Sequence, residues 1–186
     1  MQPDDYNTGE RGGVLRKLIN GGVLVVVGAV LWLFFTPMYR QGEPALTGQT
    51  APGFSFALDG KKMQLSDLRG KVVVLNFWFS SCPPCIEEAP ALNRLQAQIA
   101  PQGGVVLGVN VDDNEADYKK FLLDHGVNFP TYRDPEKKIN ATYGTTVFPE
   151  TYIIDREGKI ARKVIGPQEW DRGENYAFLE SLLQKN

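Results

Sequence analysis

At 186 residues the chain is long enough for one domain with a substantial core plus an appendage, and its composition is that of an ordinary globular protein. Its 20 Lys and Arg stand against 22 Asp and Glu, a formal net charge of -2, so no basic excess is available to hold nucleic acid and none is expected as a partner. With 2 cysteines and 1 histidine the usual four-ligand zinc set cannot be built, and Ile86 after Cys85 excludes a C-x-x-C-H haem attachment; no metal and no cofactor is expected, and thiol redox chemistry is the reading left.

From Leu18 to Tyr39 no residue is charged. Roughly 22 helical residues span about 33 Å, close to the hydrocarbon thickness of a bilayer. Arg11, Arg16 and Lys17 precede this run, while only Arg40 follows it and is soon offset by Glu43. The positive-inside bias therefore keeps the N-terminus in the cytoplasm and exports the rest. The chain reads as a cytoplasmic segment 1–17, a transmembrane anchor 18–39, a linker 40–48 and a folded domain 49–186. A cleaved signal peptide is the competing reading, but "TPMYR" offers no A-x-A-like site. No cysteine follows the apolar run directly, which argues against a lipid anchor.

After the linker, "FSFAL" and "KKMQLS" flank Asp59-Gly60, a two-residue hairpin signal. "KVVVLNFWF" is continuously apolar and β-branched, as a central strand covered on both faces would be. In "PPCIEEAPALNRLQAQIA", Ile86, Ala89, Leu92, Leu95 and Ile99 keep helical spacing. Pro83 and Pro84 fix the helix start beside Cys82, and Pro90 predicts a kink or shift. "GVVLGVNV" predicts a second buried strand, and "NEADYKKFLLDHG" a helix from an Asn cap to Gly126. "PTYRD" reads as a short strand and "PEKKINATYG" as a short helix between Pro135 and Gly144. "ETYIID" and "KIARKVIG" form a second hairpin around "REG", and "ENYAFLESLLQ" a closing amphipathic helix. The alternation predicts a mixed central sheet flanked by helices on both faces.

The two cysteines sit in "CPPC". Disulfide exchange needs an attacking thiolate and a second thiol close enough to resolve the mixed disulfide. At the helix N-cap Cys82 feels the positive end of the helix dipole and is expected to be the exposed nucleophile, with Cys85, one turn in, the more buried resolving thiol. A static staple is the plain alternative, but a loop this short removes little chain entropy. Glu88 lies one turn past Cys85 and could exchange protons with it; the alternative is a solvated acid near the helix N-terminus. His125 reads as a favourable charge at a helix end, and Trp170 as a core residue with no assigned chemistry.

These blocks resemble the membrane-anchored TlpA/ResA/CcmG-like thiol-disulfide oxidoreductases of the thioredoxin superfamily. The similarity covers roughly residues 49 to 183, from "APGFSFALDGKKMQLSDLRGKVVVLNFW" through "CPPC" to "YGTTVFPETYIIDREGKI". It implies an α/β thioredoxin-like fold with an N-terminal hairpin and a central insertion, in a single-pass protein of the bacterial inner membrane whose catalytic domain lies on the periplasmic or extracytoplasmic side. It implies a protein-disulfide reductase acting on disulfide-bearing client proteins, such as apocytochrome c during cytochrome c maturation. A membrane thiol-disulfide relay would supply its electrons, and the protein would be a monomer. Cys82 and Cys85 match the redox-active pair and Glu88 the family's acidic residue. Phe148 and Pro149 match its cis-proline loop, which would pair with an extended substrate segment. Glu150 and Trp78 join them as substrate-binding candidates.

Two departures stand out. Ser81 replaces the tryptophan that members often carry before the first cysteine, and Asn76 stands where thioredoxins proper have a buried Asp, so no carboxylate there can relay a proton. Around Cys82 little stabilises a thiolate: two prolines remove N–H donors and Glu87 and Glu88 add negative charge. A reducing couple of about -200 to -280 mV is expected. Two rivals share the fold. A peroxiredoxin-type thiol peroxidase usually has Thr where this chain has Phe79, and a copper chaperone uses C-x-x-x-C with a distal histidine.

Overall fold

A computed structural model describes residues 22–23, 25–27, 29, 46–58 and 60–185. The chain divides into two units, Met1–Pro44 and Ala45–Asn186. The segment 1–17, most of the anchor 18–39 and most of the linker 40–48 lie outside the described residues, as does Asp59 of the first hairpin. Among the described residues no helix is long and apolar enough to cross a membrane.

The second unit opens with strands β1 (Ser55–Leu58) and β2 (Lys61–Gln64), paired antiparallel with Leu58 opposite Lys61. Gly60 supplies the left-handed backbone, φ 75°, that so tight a connection requires. The main sheet is built from β3 (Val72–Trp78), β4 (Gly104–Asn110), β5 (Thr131–Arg133), β6 (Glu150–Ile154) and β7 (Ile160–Ile165). Their order is β5-β4-β3-β6-β7. The β3–β4 and β4–β5 pairs are parallel, the β3–β6 and β6–β7 pairs antiparallel, so the sheet is mixed as predicted.

Every residue of β3 is buried because both faces are covered. Val73, Leu75 and Phe77 point into one core with Phe56, Tyr143 and Tyr152. Val72 and Val74 point into the other, with Leu95, Ile99, Trp170 and Leu179. Within the second unit four α-helices follow the predicted order: α1 (Pro83–Ile99), α2 (Glu115–Asp124), α3 (Lys138–Tyr143) and α4 (Gly173–Leu183). These elements form the thioredoxin-like core, with the β1–β2 hairpin ahead of it and α2 and β5 inserted between β4 and α3.

Helix α1 contains the proline expected to kink or shift it, and helix α3 departs from its expected start. Helix α1 continues through Pro90, which sits on its exposed side where solvent can satisfy a carbonyl left without its donor. Helix α3 begins at Lys138, three residues after Pro135. The reason is Asp134, whose carboxylate accepts the N–H groups of Lys138, Ile139 and Asn140 at 3.2, 2.8 and 3.1 Å and caps the helix from outside it.

Candidate active site

Parallel strands β3 and β4 end side by side, and the chain leaving β3 reaches the cysteines within four residues. A turn closes there: the Cys82 N–H donates to the Phe79 carbonyl at 3.3 Å. Asp112, just past β4, holds the same turn from the side, its two carboxylate oxygens each 3.1 Å from the Ser80 N–H. Asn110 in turn donates to Asp112 at 2.8 Å. The end of one strand thus fixes the loop leaving its neighbour.

Cys82 is the N-cap of α1, with extended backbone, and it is joined to Cys85 in a disulfide with Cα atoms 5.2 Å apart. The Cys85 N–H points at the Cys82 sulfur, 3.3 Å away. Pro83 and Pro84 occupy the first helical positions and have no N–H to offer. Cys82 was expected to be exposed, and this is corrected: it is 2% exposed and Cys85 4%. The cause is an apolar cluster around the pair, made of Trp78, Ala89 and Phe121 with Phe79, Ile86 and Phe148 packed against it.

Glu88 is the most unusual side chain nearby, a carboxylate only 1% exposed. It accepts from Trp170 Nε1, from Asn76 Nδ2 at 3.3 Å and from the Gln168 backbone. Burial disfavours its charged form and raises its pKa to about 7, while the three donors pull the other way. The solvated-acid alternative is thereby removed. Asn76 also donates to Thr151 Oγ1 at 2.9 Å, linking Glu88 to the strand that follows Pro149. Asn76 and Trp170 are thus site residues whose chemistry sequence reasoning missed. A polar residue inside an otherwise apolar strand was a usable signal for Asn76; nothing local marked Trp170.

The Phe148-Pro149 bond is cis. Phe148 is half-buried, and Pro149 is buried with its carbonyl accepting from the Gly166 N–H at 2.8 Å. Glu150 turns inward and is 2% exposed. Its Oε1 accepts from Thr145 Oγ1 at 2.8 Å and from the Tyr152 hydroxyl, and pairs with Lys163 at 2.8 Å. Trp78 is also buried, its ring 4.3 Å from Phe121 and 5.9 Å from Tyr118. Of the four residues assigned to substrate, Phe148 is the one with a substantial face in solvent; Glu150 and Trp78 shape the surface from beneath.

His125 caps the C-terminal end of α2 and stacks near Phe121, with ring centroids 4.5 Å apart. With Ser80, Ser81, Ile86 and Asp117 it borders an open groove of about 420 Å³ beside the cysteine loop. Although remote in sequence, it is therefore close to the turn that presents Cys82. Among the described residues no group of three or more His, Cys, Asp or Glu side chains converges to hold a metal ion.

Residues 47–163 match the AhpC/TSA family. Thiol-disulfide oxidoreductase ResA of Bacillus anthracis is 34% identical over 155 residues, which cover 83% of this chain and 90% of that protein. ResA of Bacillus subtilis (strain 168) is 33% identical over 153 residues, 81% and 86% of the two chains. A solved thiol:disulfide interchange protein from Bacteroides sp. has a TM-score of 0.63 at 28% identity, covering 75% of this chain and 91% of that one.

Proposed function

We propose, for a chain that belongs to the AhpC/TSA family and to the ResA-type thiol-disulfide oxidoreductases, that Cys82 and Cys85 are the redox couple of an exported, membrane-anchored protein-disulfide reductase. The observation that carries this reading is the Cys82–Cys85 disulfide at the start of α1 with a buried carboxylate one turn below it. A solvated glutamate could not hold a proton near neutral pH; Glu88, with its pKa raised to about 7, can both take and return one.

In the reducing direction the Cys82 thiolate attacks one sulfur of a client disulfide. A mixed disulfide forms, and the other client sulfur leaves as a thiolate. Glu88 accepts the Cys85 proton, and the Cys85 thiolate then attacks Cys82 Sγ. The Cys82–Cys85 bond closes, the client's second sulfur leaves, and two electrons have passed to the client. Recharging by a donor dithiol runs the same steps backward. Phe148 offers its backbone and ring to an extended client segment, with Pro149, Glu150 and Trp78 supporting that surface.

The charge asymmetry around residues 18–39 supports an anchor in a bacterial inner membrane with the domain 49–186 on the periplasmic side. A membrane thiol-disulfide relay is the proposed donor, and apocytochrome c a fitting client because its cysteine pair must be reduced before haem attachment. The peroxidase alternative is disfavoured by Phe79, which stands where such enzymes usually carry Thr. A copper chaperone of this fold would carry C-x-x-x-C with a distal histidine, where this chain has C-x-x-C. Trapping tests the proposal. Cys85→Ser should accumulate a mixed disulfide on Cys82 with an exported cysteine protein, and Cys82→Ser should accumulate none. Equal trapping by both variants would refute the assigned roles.

A further inference from the structure

The Cys82–Cys85 bond is exchanged only by a thiolate that reaches a sulfur along the S–S axis, yet neither cysteine is more than 4% exposed. The side chains that close the site come from two separate loops. Phe79 opens the turn whose hydrogen bond ends on the Cys82 N–H, and its side chain packs against the cluster that holds both cysteines. Phe148 arrives from the loop ending in Pro149. The two rings meet edge to face, with centroids 5.3 Å apart and planes at 87°. Both pack against the cluster that contains the two sulfurs, and both are only half-buried, so each keeps a face in solvent. Their neighbours Ser81 and Val147 are exposed.

We infer that Phe79 and Phe148 form a gate across the disulfide and are specificity-determining residues, selecting protein dithiols and disulfides over small thiols. The inference rests on the reading of Cys82 and Cys85 as the exchanging pair. With the rings in contact, a small thiol finds the sulfurs covered and waits for the pair to part. A client segment lying along Phe148 replaces the Phe79 edge with an apolar side chain of its own, opening the site as it binds. An edge-to-face pair of this kind favours the closed arrangement by about fivefold. Small thiols bear that factor in full, while a polypeptide that substitutes for the lost contact does not.

The test uses the oxidised full chain with dithiothreitol as the small thiol. One dithiothreitol thiolate attacks a sulfur, forming a mixed disulfide and releasing the other cysteine as a thiolate. The second dithiothreitol thiol then closes on its own sulfur, leaving cyclic oxidised dithiothreitol and the protein dithiol. Quenching with a maleimide of high mass gives the rate from a gel shift. Phe79→Ala and Phe148→Leu should each raise this rate about fivefold, while Phe79→Ala should change insulin reduction by the reduced protein less than twofold. Leu122→Ala, which removes a side chain packed against the same cluster from α2, should leave the dithiothreitol rate within twofold of wild type. The gate is overturned if both phenylalanine variants stay within twofold of wild type, or if Leu122→Ala accelerates as much as they do. A wild-type protein that dithiothreitol reduces normally but that never reduces insulin would instead overturn the reductase reading, so the two failures are distinct.

Discussion

The indole Nε1 of Trp170 donates a hydrogen bond to the carboxylate of Glu88, 82 positions earlier in the chain. Trp170 lies between β7 and α4 and is fully buried; Glu88 lies on α1 one turn past Cys85. The contact makes the proton affinity of Glu88 a balance. Burial opposes the charge, whereas Trp170, Asn76 and the Gln168 backbone favour it, and burial prevails by enough to leave the group about half ionised at pH 7.

Trp170→Phe keeps most of the ring and removes the donor. Since that bond favours the carboxylate, its loss raises the Glu88 pKa further. A hydrogen bond to a charged acceptor is worth about 1.5–3 kcal/mol, or about 1–2 pH units. The half-maximal pH for resolution of the mixed disulfide should therefore rise by at least one unit in stopped-flow measurements. Asn76→Ala should move it the same way by less, because its bond is longer at 3.3 Å. A purely packing role for Trp170 would lower the urea midpoint and leave the pH profile in place.

Glu88 also makes stability depend on pH. Its pKa in the folded chain is about 7 against an ordinary value of 4.5, so between these limits the folded state binds more protons than the unfolded one. Stability is then fully present below about pH 4.5 and declines until about pH 7, by on the order of 3 kcal/mol for this group. Glu88→Gln should flatten that decline. Urea midpoints of the oxidised protein at pH 5 and pH 8 check this: a wild-type midpoint that rises with pH over this range, with no difference in Glu88→Gln, would contradict it.

Gly108 sits in β4 opposite Asn76 and Thr131. A Cβ there would lie 2.8 Å from Thr131 Oγ1, 2.9 Å from Trp78 Nε1 and 3.1 Å from Phe129 Cε2. Thr131 is short and β-branched, and Trp78 is held by Phe121, so neither can withdraw freely. Gly108→Ala should cost about 1–3 kcal/mol by overpacking and alter the near-ultraviolet circular dichroism of Trp78. An unchanged urea midpoint would show that the site has room.

Strand and helix order was legible because hydrophobic period and turn chemistry are local. The run of β3, apolar but for Asn76, the Asn114 cap, whose side chain accepts from the Ala116 N–H, and the hairpin glycines each declare themselves within a few residues. The cysteine pair and its position at a helix start were legible for the same reason. The burial of Cys82 was not, since it depends on a cluster that Trp78, Ala89, Phe121 and Phe148 assemble from separate strands, helices and loops. Nor was the choice between a solvated and a buried Glu88, which is decided by a tryptophan near the other end of the domain. Helix α3 started late because a carboxylate outside it outcompeted the proline inside the predicted span.

A dithiol couple of this fold is oxidising to the extent that its site stabilises the thiolate, chiefly through hydrogen-bond donors at the helix start. Here the Cys85 N–H is directed at the Cys82 sulfur, while Pro83 and Pro84 contribute none. Exposed Glu87 and buried Glu88 follow within a turn, and Ile86 brings no positive charge. The wild-type midpoint should therefore fall at about -200 to -280 mV, on the thioredoxin side of the scale. Pro84→Ala restores an N–H at the second helical position, where such groups reach the N-cap side chain. A charge-assisted bond of about 1.5 kcal/mol to the thiolate would raise the midpoint by about 30 mV. Equilibration against glutathione followed by alkylation measures both values. A wild-type midpoint near -120 mV would reverse the proposed direction of electron flow, and an unshifted Pro84→Ala midpoint would mean that the prolines do not set it.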